Sequence, residues 1–198
     1  MFRFILVCAL CLLPAVSSAQ SAILVLGDSL SAGYGIPRAA AWVTLLQQEL
    51  QRTHPHYKVI NASISGETTT GALQRMPATL KEHRPSIVII ELGANDGLRG
   101  TPLSLTEKNL DALIRQAQAA GAKVLLLGMQ LPPNYGIDYT SQFKMLFQQL
   151  AQRHRAVLVP FLLAGVAAEQ YQADNLHPTA EAQPKILDTV MQKLKPML

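Results

Sequence analysis

Apolar runs rich in Val, Ile and Leu alternate along the chain with longer segments in which apolar residues recur at helical spacing. The runs predict five strands, at residues 22–26, 58–62, 87–92, 124–127 and 157–159. The longer segments predict five helices, at residues 41–51, 69–82, 105–120, 140–155 and 179–194. Gly121 suits the position just after a helix end, whereas Pro184 either kinks the last helix or delays its start.

The alternation of strands and helices predicts the α/β class. Several of the strands are apolar throughout, which is typical of a parallel sheet that helices cover on both faces. We therefore expect a three-layer α/β/α domain with a five-stranded parallel sheet. Ligands of such sheets bind beyond the carboxyl ends of the strands, so the residues that follow each strand are the first candidates for a functional site.

The N-terminus has a pattern of its own. Arg3 is followed by an apolar run over residues 4–13, then by Pro14 and by small residues at 17–19. This pattern predicts a cleaved signal peptide over residues 1–19 and a single domain over residues 20–198, which would be periplasmic or secreted. The alternative is a membrane anchor, but the run is shorter than the ~20 residues that span a bilayer.

Composition argues against several classes of function. Both cysteines, Cys8 and Cys11, lie in the predicted signal peptide. The mature domain would then have no disulfide, no thiolate nucleophile and no cysteine zinc site. Lys and Arg number 17 against 13 Asp and Glu, and because the basic residues are scattered, nucleic-acid binding gains no support. We expect no cofactor, no metal, no stable membrane insertion and a monomeric protein.

Four short motifs carry the candidate chemistry. Three follow successive predicted strands and the fourth precedes the last predicted helix: Gly27-Asp28-Ser29-Leu30, Ser65-Gly66-Glu67, Gly93-Ala94-Asn95-Asp96 and Asp174-Asn175-Leu176-His177. Because the strand ends of a parallel sheet meet at one edge, we expect these motifs to converge on one cleft.

The first and last motifs contain the parts of a nucleophilic hydrolase. Ser29 is the candidate nucleophile and His177 the candidate general base, and Asp174 is three residues from His177, where one turn brings its carboxylate to the imidazole. Simpler interpretations exist for each. Ser29 or Asp28 could cap a helix after a strand, and His177 could be a surface residue before Pro178.

The middle motifs supply candidate hydrogen-bond donors for an oxyanion. Gly66 can present its backbone N–H and Asn95 its side-chain amide, and the N–H of Ser29 makes a third donor. The simpler interpretation is turn chemistry, since glycine and asparagine both favour turns. We interpret Asp28 and Asp96 as carboxylates that shape loops rather than as catalytic or metal-binding groups.

Ser29, Gly66, Asn95 and His177 match the four residues that name the SGNH, or GDSL, hydrolase family, which the chain resembles. Longer matches resemble a subgroup of exported bacterial esterases with acyl-CoA thioesterase, protease and lysophospholipase activity. Those matches are the segments at residues 27–34, 61–66, 95–100 and 131–136. The resemblance covers essentially the whole mature chain.

The resemblance implies a flavodoxin-like sheet, no cofactor and a triad of Ser29, His177 and Asp174. It also implies an oxyanion hole made by Ser29, Gly66 and Asn95. A loop at residues 97–102 is expected to move when an acyl group binds. The segment at residues 131–136 is expected to shape acyl-chain preference, with these substrate-binding residues: Leu131, Pro132, Asn134 and Tyr135.

Two positions depart from the family pattern. Ala94 stands where glycine is commoner, which adds a methyl group beside the oxyanion hole. Asn175 also stands where glycine is usual, and because asparagine tolerates left-handed backbone, we expect the turn to be kept. Neither change touches a catalytic atom.

The sequence therefore predicts a serine esterase that hydrolyses acyl thioesters, carboxylic esters and lysophospholipids through an acyl-enzyme intermediate. One alternative is a carbohydrate O-deacetylase that uses the same site on acetylated polysaccharide. Another is a non-catalytic lipid- or envelope-binding protein that retains the fold. The apolar side chains of Leu131, Tyr135 and Ile137 favour acyl chains over sugars as the bound group.

Overall fold

The computed structural model describes residues 21–198, so the predicted signal peptide lies outside the described residues. A five-stranded, fully parallel sheet forms the centre, in the order β2-β1-β3-β4-β5. Its strands are β1 Ser21–Gly27, β2 Tyr57–Asn61, β3 Ile87–Glu91, β4 Lys123–Leu127 and β5 Val157–Val159. The predicted α/β class and parallel sheet are confirmed.

Seven α-helices lie along the described residues. They are α1 Ser29–Ala32, α2 Trp42–Thr53, α3 Thr69–His83, α4 Ala94–Leu98, α5 Leu103–Ala119, α6 Ile137–His154 and α7 Gln183–Leu194. Helices α2 and α7 pack together on one face of the sheet, and α3, α5 and α6 pack on the other. The result is the expected three layers, in which β1 and β3 are buried on both faces.

The helix ends follow local chemistry. Helix α5 ends at Ala119, and Gly121 two residues later has φ of +83°, as the position after a C-cap requires. The last predicted helix begins later than residue 179, because Pro184 occupies the first turn of α7, where its missing N–H costs nothing. A short 3₁₀ turn, Ala180–Ala182, precedes it.

The sequence pattern did not predict α1 and α4. Both are only four or five residues long, which is too short for a helical repeat of apolar residues to appear. They lie directly after β1 and β3, and each begins at or just before a candidate site residue, Ser29 in α1 and Asn95 in α4.

The strand order positions the site. The chain runs from β1 to β2 on one side and then returns to place β3 on the other side of β1. Beyond the carboxyl ends of β1 and β3 the connections diverge, which opens the crevice where ligands of such sheets bind. Within residues 21–198, none of the helices is long and apolar enough to cross a membrane.

Candidate active site

Ser29 begins α1 directly after β1. The carboxylate of Asp28 caps this short helix, because its Oδ1 accepts a hydrogen bond of 3.0 Å from the N–H of Leu30. Ser29 itself is 9% exposed, and its side chain lines the cleft. The turn therefore holds a hydroxyl group at the mouth of a cavity with little freedom to move.

His177 reaches across the cleft to Ser29. The ring Nε2 lies 2.8 Å from Ser29 Oγ, and Nδ1 lies 2.6 Å from Oδ2 of Asp174. With a carboxylate facing Nδ1, the neutral ring carries its proton there, so Nε2 accepts the hydrogen bond from the serine hydroxyl. The ring of Tyr34 packs beside the imidazole, with 4.6 Å between ring centroids.

The loop that carries Asp174 is a tight turn. Oδ1 of Asp174 accepts hydrogen bonds from the backbone N–H groups of Leu176, at 2.9 Å, and His177, at 3.0 Å. Asn175 has φ of +55°, so this asparagine takes the left-handed conformation that its residue type tolerates, and the turn is formed. Desolvation is the largest single influence and raises the pKa of Asp174, but the hydrogen bonds from His177 and Leu176 and the nearby charge of His177 together outweigh it and lower the pKa to about 2.

The candidate oxyanion donors Gly66 and Asn95 line the same cleft as Ser29. Gly66 has φ of +78°, a conformation that favours glycine. Nη2 of Arg99 donates to the Gly66 carbonyl at 3.0 Å and so ties the end of α4 to this turn. Nδ2 of Asn95 donates at 3.0 Å both to the carbonyl of Glu67 and to Oδ2 of Asp28, so its amide is held in one orientation.

A buried pair of carboxyl groups lies under the Ser29 turn. Asp28 is 1% exposed and Glu91, at the end of β3, is fully buried. Oε2 of Glu91 accepts hydrogen bonds from the Asp28 N–H at 3.2 Å and from the hydroxyl of Ser31 at 2.9 Å. Burial raises the pKa of both acids, and the nearby charge of Asp28 raises that of Glu91 further, well above its usual range.

Asp96 also lies near the site but faces away from the triad. Its carboxylate accepts hydrogen bonds from Thr69, at 2.9 Å from the backbone N–H and at 2.6 Å from the hydroxyl. Asp96 thereby fixes α4 to the N-terminus of α3. This contact is consistent with the prediction that Asp96 shapes a loop.

A cavity of about 420 Å³ opens beside Ser29 and His177. Of the four predicted substrate-binding residues, Leu131 and Pro132 line it. Asn134 and Tyr135 belong to the adjoining 3₁₀ turn and are not among its lining residues. The hydroxyl of Tyr135 instead donates to the carbonyl of Leu98 at 3.0 Å.

The sequence pattern missed much of the apolar wall of this cavity. These lining residues come from the segments after β4 and β5 and from the loop before the last motif: Met129, Phe161, Leu163 and Tyr171. A signal for the first three was available, because they follow strand ends at the same edge of the sheet as Ser29. Within residues 21–198, no group of three or more His, Cys, Asp or Glu is arranged to hold a metal ion.

Known proteins resemble the chain in both sequence and fold. Residues 25–183 match the GDSL-like lipase/acylhydrolase family. The chain belongs to this family. The family resemblance predicted from the four motifs is confirmed.

Relatives in this family match over nearly the whole chain. Esterase TesA of Pseudomonas aeruginosa is 48% identical over 192 residues, which are 96% of this chain and 95% of that protein. Thioesterase 1/protease 1/lysophospholipase L1 of Escherichia coli is 41% identical, over 92% of this chain and 87% of that one. Among solved structures, esterase EstA from Pseudoalteromonas sp., inhibited by monoethylphosphonate, superposes with a TM-score of 0.85. It is 42% identical, over 89% of this chain and 98% of that one.

Proposed function

We propose that the protein is a serine esterase that cleaves acyl esters and thioesters, lysophospholipids included, through an acyl-enzyme. One observation carries the proposal: a continuous line of hydrogen bonds joins Ser29 Oγ, His177 and Asp174 at 2.8 and 2.6 Å. This is the arrangement that activates a serine for attack on a carbonyl carbon.

The first half of the reaction acylates Ser29. As Oγ attacks the carbonyl carbon, its proton passes to Nε2 of His177, and the carboxylate of Asp174 stabilises the imidazolium that forms. When the tetrahedral intermediate collapses, the bond to the alcohol or thiol breaks and that group takes the proton from Nε2. In the second half, water repeats the attack on the acyl-enzyme and releases the acid.

The negative charge of each intermediate falls among the donors of the oxyanion hole. We assign these donors to the backbone N–H groups of Ser29 and Gly66 and to Nδ2 of Asn95. Because Nδ2 already donates to Asp28 and to the carbonyl of Glu67, the oxyanion shares one of these hydrogens. The amide is thus oriented before the substrate arrives, so little reorganisation is needed during the reaction.

The acyl group would occupy the cavity beside Ser29. Its wall is largely apolar, and the following side chains contribute to it: Leu98, Met129, Leu131, Phe161 and Leu163. A wall of this kind stabilises a hydrocarbon chain by burying it. The relatives named esterase and thioesterase/lysophospholipase support esters, thioesters and lysophospholipids as the substrate classes.

Replacement of the nucleophile tests this proposal. We expect Ser29→Ala to lower kcat for p-nitrophenyl butyrate by about 10⁴-fold or more. We also expect it to abolish covalent labelling by a fluorophosphonate. Ser141→Ala, on the exposed side of α6, should keep wild-type rates and labelling. Equal rates for Ser29→Ala and wild type would refute the proposal.

A series of acyl lengths tests the substrate class. We expect kcat/KM to rise from acetyl to medium-length acyl groups, on both oxygen esters and thioesters, because the apolar wall can bury the additional methylene groups. Strict preference for acetate, with activity on acetylated polysaccharide, would favour the O-deacetylase. Absence of labelling and of turnover on every substrate would favour a binding protein.

We further propose that the protein is exported and works as a monomer without inserting into a membrane. The support for export is the N-terminal pattern of Arg3, the apolar run at 4–13 and the small residues at 17–19. Mass spectrometry of the protein from a periplasmic fraction should give a chain that begins at Gln20. An intact Met1 in the purified protein would contradict export by cleavage.

A further inference from the structure

Glu91 is a fully buried acid that the proposed reaction does not use. It ends β3 and is the register partner of Gly27 on β1. A methyl group added at Gly27 would lie 2.8 Å from Oε2 of Glu91, so the carboxyl group fits directly beneath the turn that carries Ser29. This close approach explains why glycine is needed before Asp28.

The hydrogen bonds of Glu91 are uneven. Oε2 accepts from the N–H of Asp28 and from the hydroxyl of Ser31. Oε1 is buried and finds no donor among residues 21–198. Neither Glu91 nor Asp28 joins an ion pair of the described residues. A charged carboxylate with an empty oxygen and no cation is very costly in a protein interior, whereas a neutral acid is tolerated.

The neighbouring carboxyl group supplies a second argument. Asp28 faces Glu91, and two carboxylates in contact inside a protein share one proton rather than both ionising. Both oxygens of Asp28 have donors, the N–H of Leu30 on Oδ1 and Nδ2 of Asn95 on Oδ2, whereas Oε1 of Glu91 has none. The charge is therefore better stabilised on Asp28, and the shared proton belongs on Glu91.

We propose that Glu91 is a positioning residue that works as a neutral carboxylic acid and braces both the Ser29 turn and, through Asp28, the amide of Asn95. As a neutral acid, Glu91 holds the Asp28 N–H and the Ser31 hydroxyl with Oε2 as its carbonyl oxygen, and it would donate its proton from Oε1 toward the Asp28 carboxylate. That carboxylate in turn accepts from Asn95 at 3.0 Å. Two of the three assigned oxyanion donors, at Ser29 and Asn95, therefore depend on Glu91.

The first test measures stability and does not depend on the proposed function. A buried acid that keeps its proton binds more protons in the folded than in the unfolded chain, so its contribution to stability falls as pH rises above the unfolded pKa of about 4.3. Glu91→Gln has no titratable group at this position, so this pH dependence of stability is lost. We therefore expect the difference in Tm, wild type minus Glu91→Gln, to fall by about 3 °C for each pH unit above pH 5. Parallel curves would show that Glu91 is ionised and would overturn the proposal.

The second test measures activity and does rest on the proposed role of Ser29. Glutamine keeps one acceptor and one donor, so Glu91→Gln should retain kcat within about threefold. Glu91→Met has a similar shape but accepts no such hydrogen bond, and we expect its kcat to fall at least about tenfold with KM unchanged. Ile90→Val, on the same strand, controls for a small loss of packing and should keep wild-type kcat.

The outcomes separate the two proposals. Full kcat in folded Glu91→Met would overturn the positioning role, and if this variant fails to fold, the pH dependence of Glu91→Gln decides. A wild-type protein with no esterase activity would refute the proposed function, yet it would leave the comparison of Tm curves valid.

Discussion

Acidic residues lie on two sides of Ser29, and their environments differ in solvent exposure and in hydrogen bonding. Asp174 lies in a loop with 38% of its side chain exposed and accepts three hydrogen bonds, two from backbone N–H groups and one from His177. Its pKa is held at about 2. Asp28 and Glu91 lie at the ends of β1 and β3, almost free of solvent, and their pKa values are raised.

The difference teaches how one residue type serves two purposes around one nucleophile. Hydrogen-bond donors surround Asp174 and solvent reaches it, so its charged form is stable and can interact with His177. Asp28 and Glu91 have too few donors for two charges, so they serve best by sharing a proton and holding backbone in place. Proximity to Ser29 in the sequence is therefore a poor guide to which acid pairs with the histidine.

We expect the largest effect on activity when the charge of Asp174, on the exposed side of Ser29, is removed. We expect Asp174→Asn to lower kcat by about 10⁴-fold, because an amide at Nδ1 no longer favours the working tautomer or stabilises the imidazolium. Initial rates on p-nitrophenyl butyrate at pH 8 measure this, and a Tm close to wild type shows that the loop has not collapsed. A fall of less than tenfold would mean that Asp174 does not orient His177.

The same substitution on the buried side should have a smaller effect. Asp28→Asn keeps an oxygen for the N–H of Leu30 but places an NH₂ group opposite the amide of Asn95. That amide then loses one of its two acceptors and keeps only the carbonyl of Glu67. Since one oxyanion donor is worth about 10²–10³ in rate and is here only misdirected, we expect kcat to fall about 10- to 100-fold with KM little changed. A loss equal to that of Asp174→Asn would remove the distinction between the two sides.

The sequence predicted the exposed side better than the buried side for physical reasons. Asp174 and His177 lie in one turn, so their spacing alone indicates contact, and the left-handed φ of Asn175 follows from known preferences of asparagine. Glu91 closes an apolar run that was assigned to a strand, and no local pattern reveals that its side chain meets Asp28, 63 residues away in sequence.

The same distinction holds for the fold. The five strands and the five long helices were predicted with ends within four residues of the observed ones, because burial imposes periodicity on long elements. Short α1 and α4, which present Ser29 and Asn95, depend on capping and on contacts across the sheet, and the pattern did not reveal them. Phe161 and Leu163 follow the predicted strand β5, so the sequence indicated the edge of the sheet where they lie, but which strand ends meet around the cavity depends on the topology of the sheet.

The smallest expected effect is on stability at low pH. The direction in which stability changes with pH distinguishes Asp174 from the buried pair of Asp28 and Glu91. The pKa of Asp174 is lower in the folded protein than the unfolded value of about 3.9. The stability that Asp174 contributes is therefore present above about pH 4 and is lost as pH falls toward 2. Neutral Glu91 behaves in the opposite way, because it destabilises the folded protein increasingly as pH rises. Because Asp174 is partly exposed and screened, we expect its contribution to the free energy of unfolding to reach about 1 kcal/mol at most, or a few °C in Tm.

Thermal melts of wild type and Asp174→Asn test this contribution. Their Tm values should converge as pH falls from 5 to 2, and Asp188→Asn, on the exposed side of α7, is the control for loss of one acid. Curves that stay parallel would show that the loop does not stabilise the Asp174 charge, and the contrast with the buried pair would then rest on Glu91 alone.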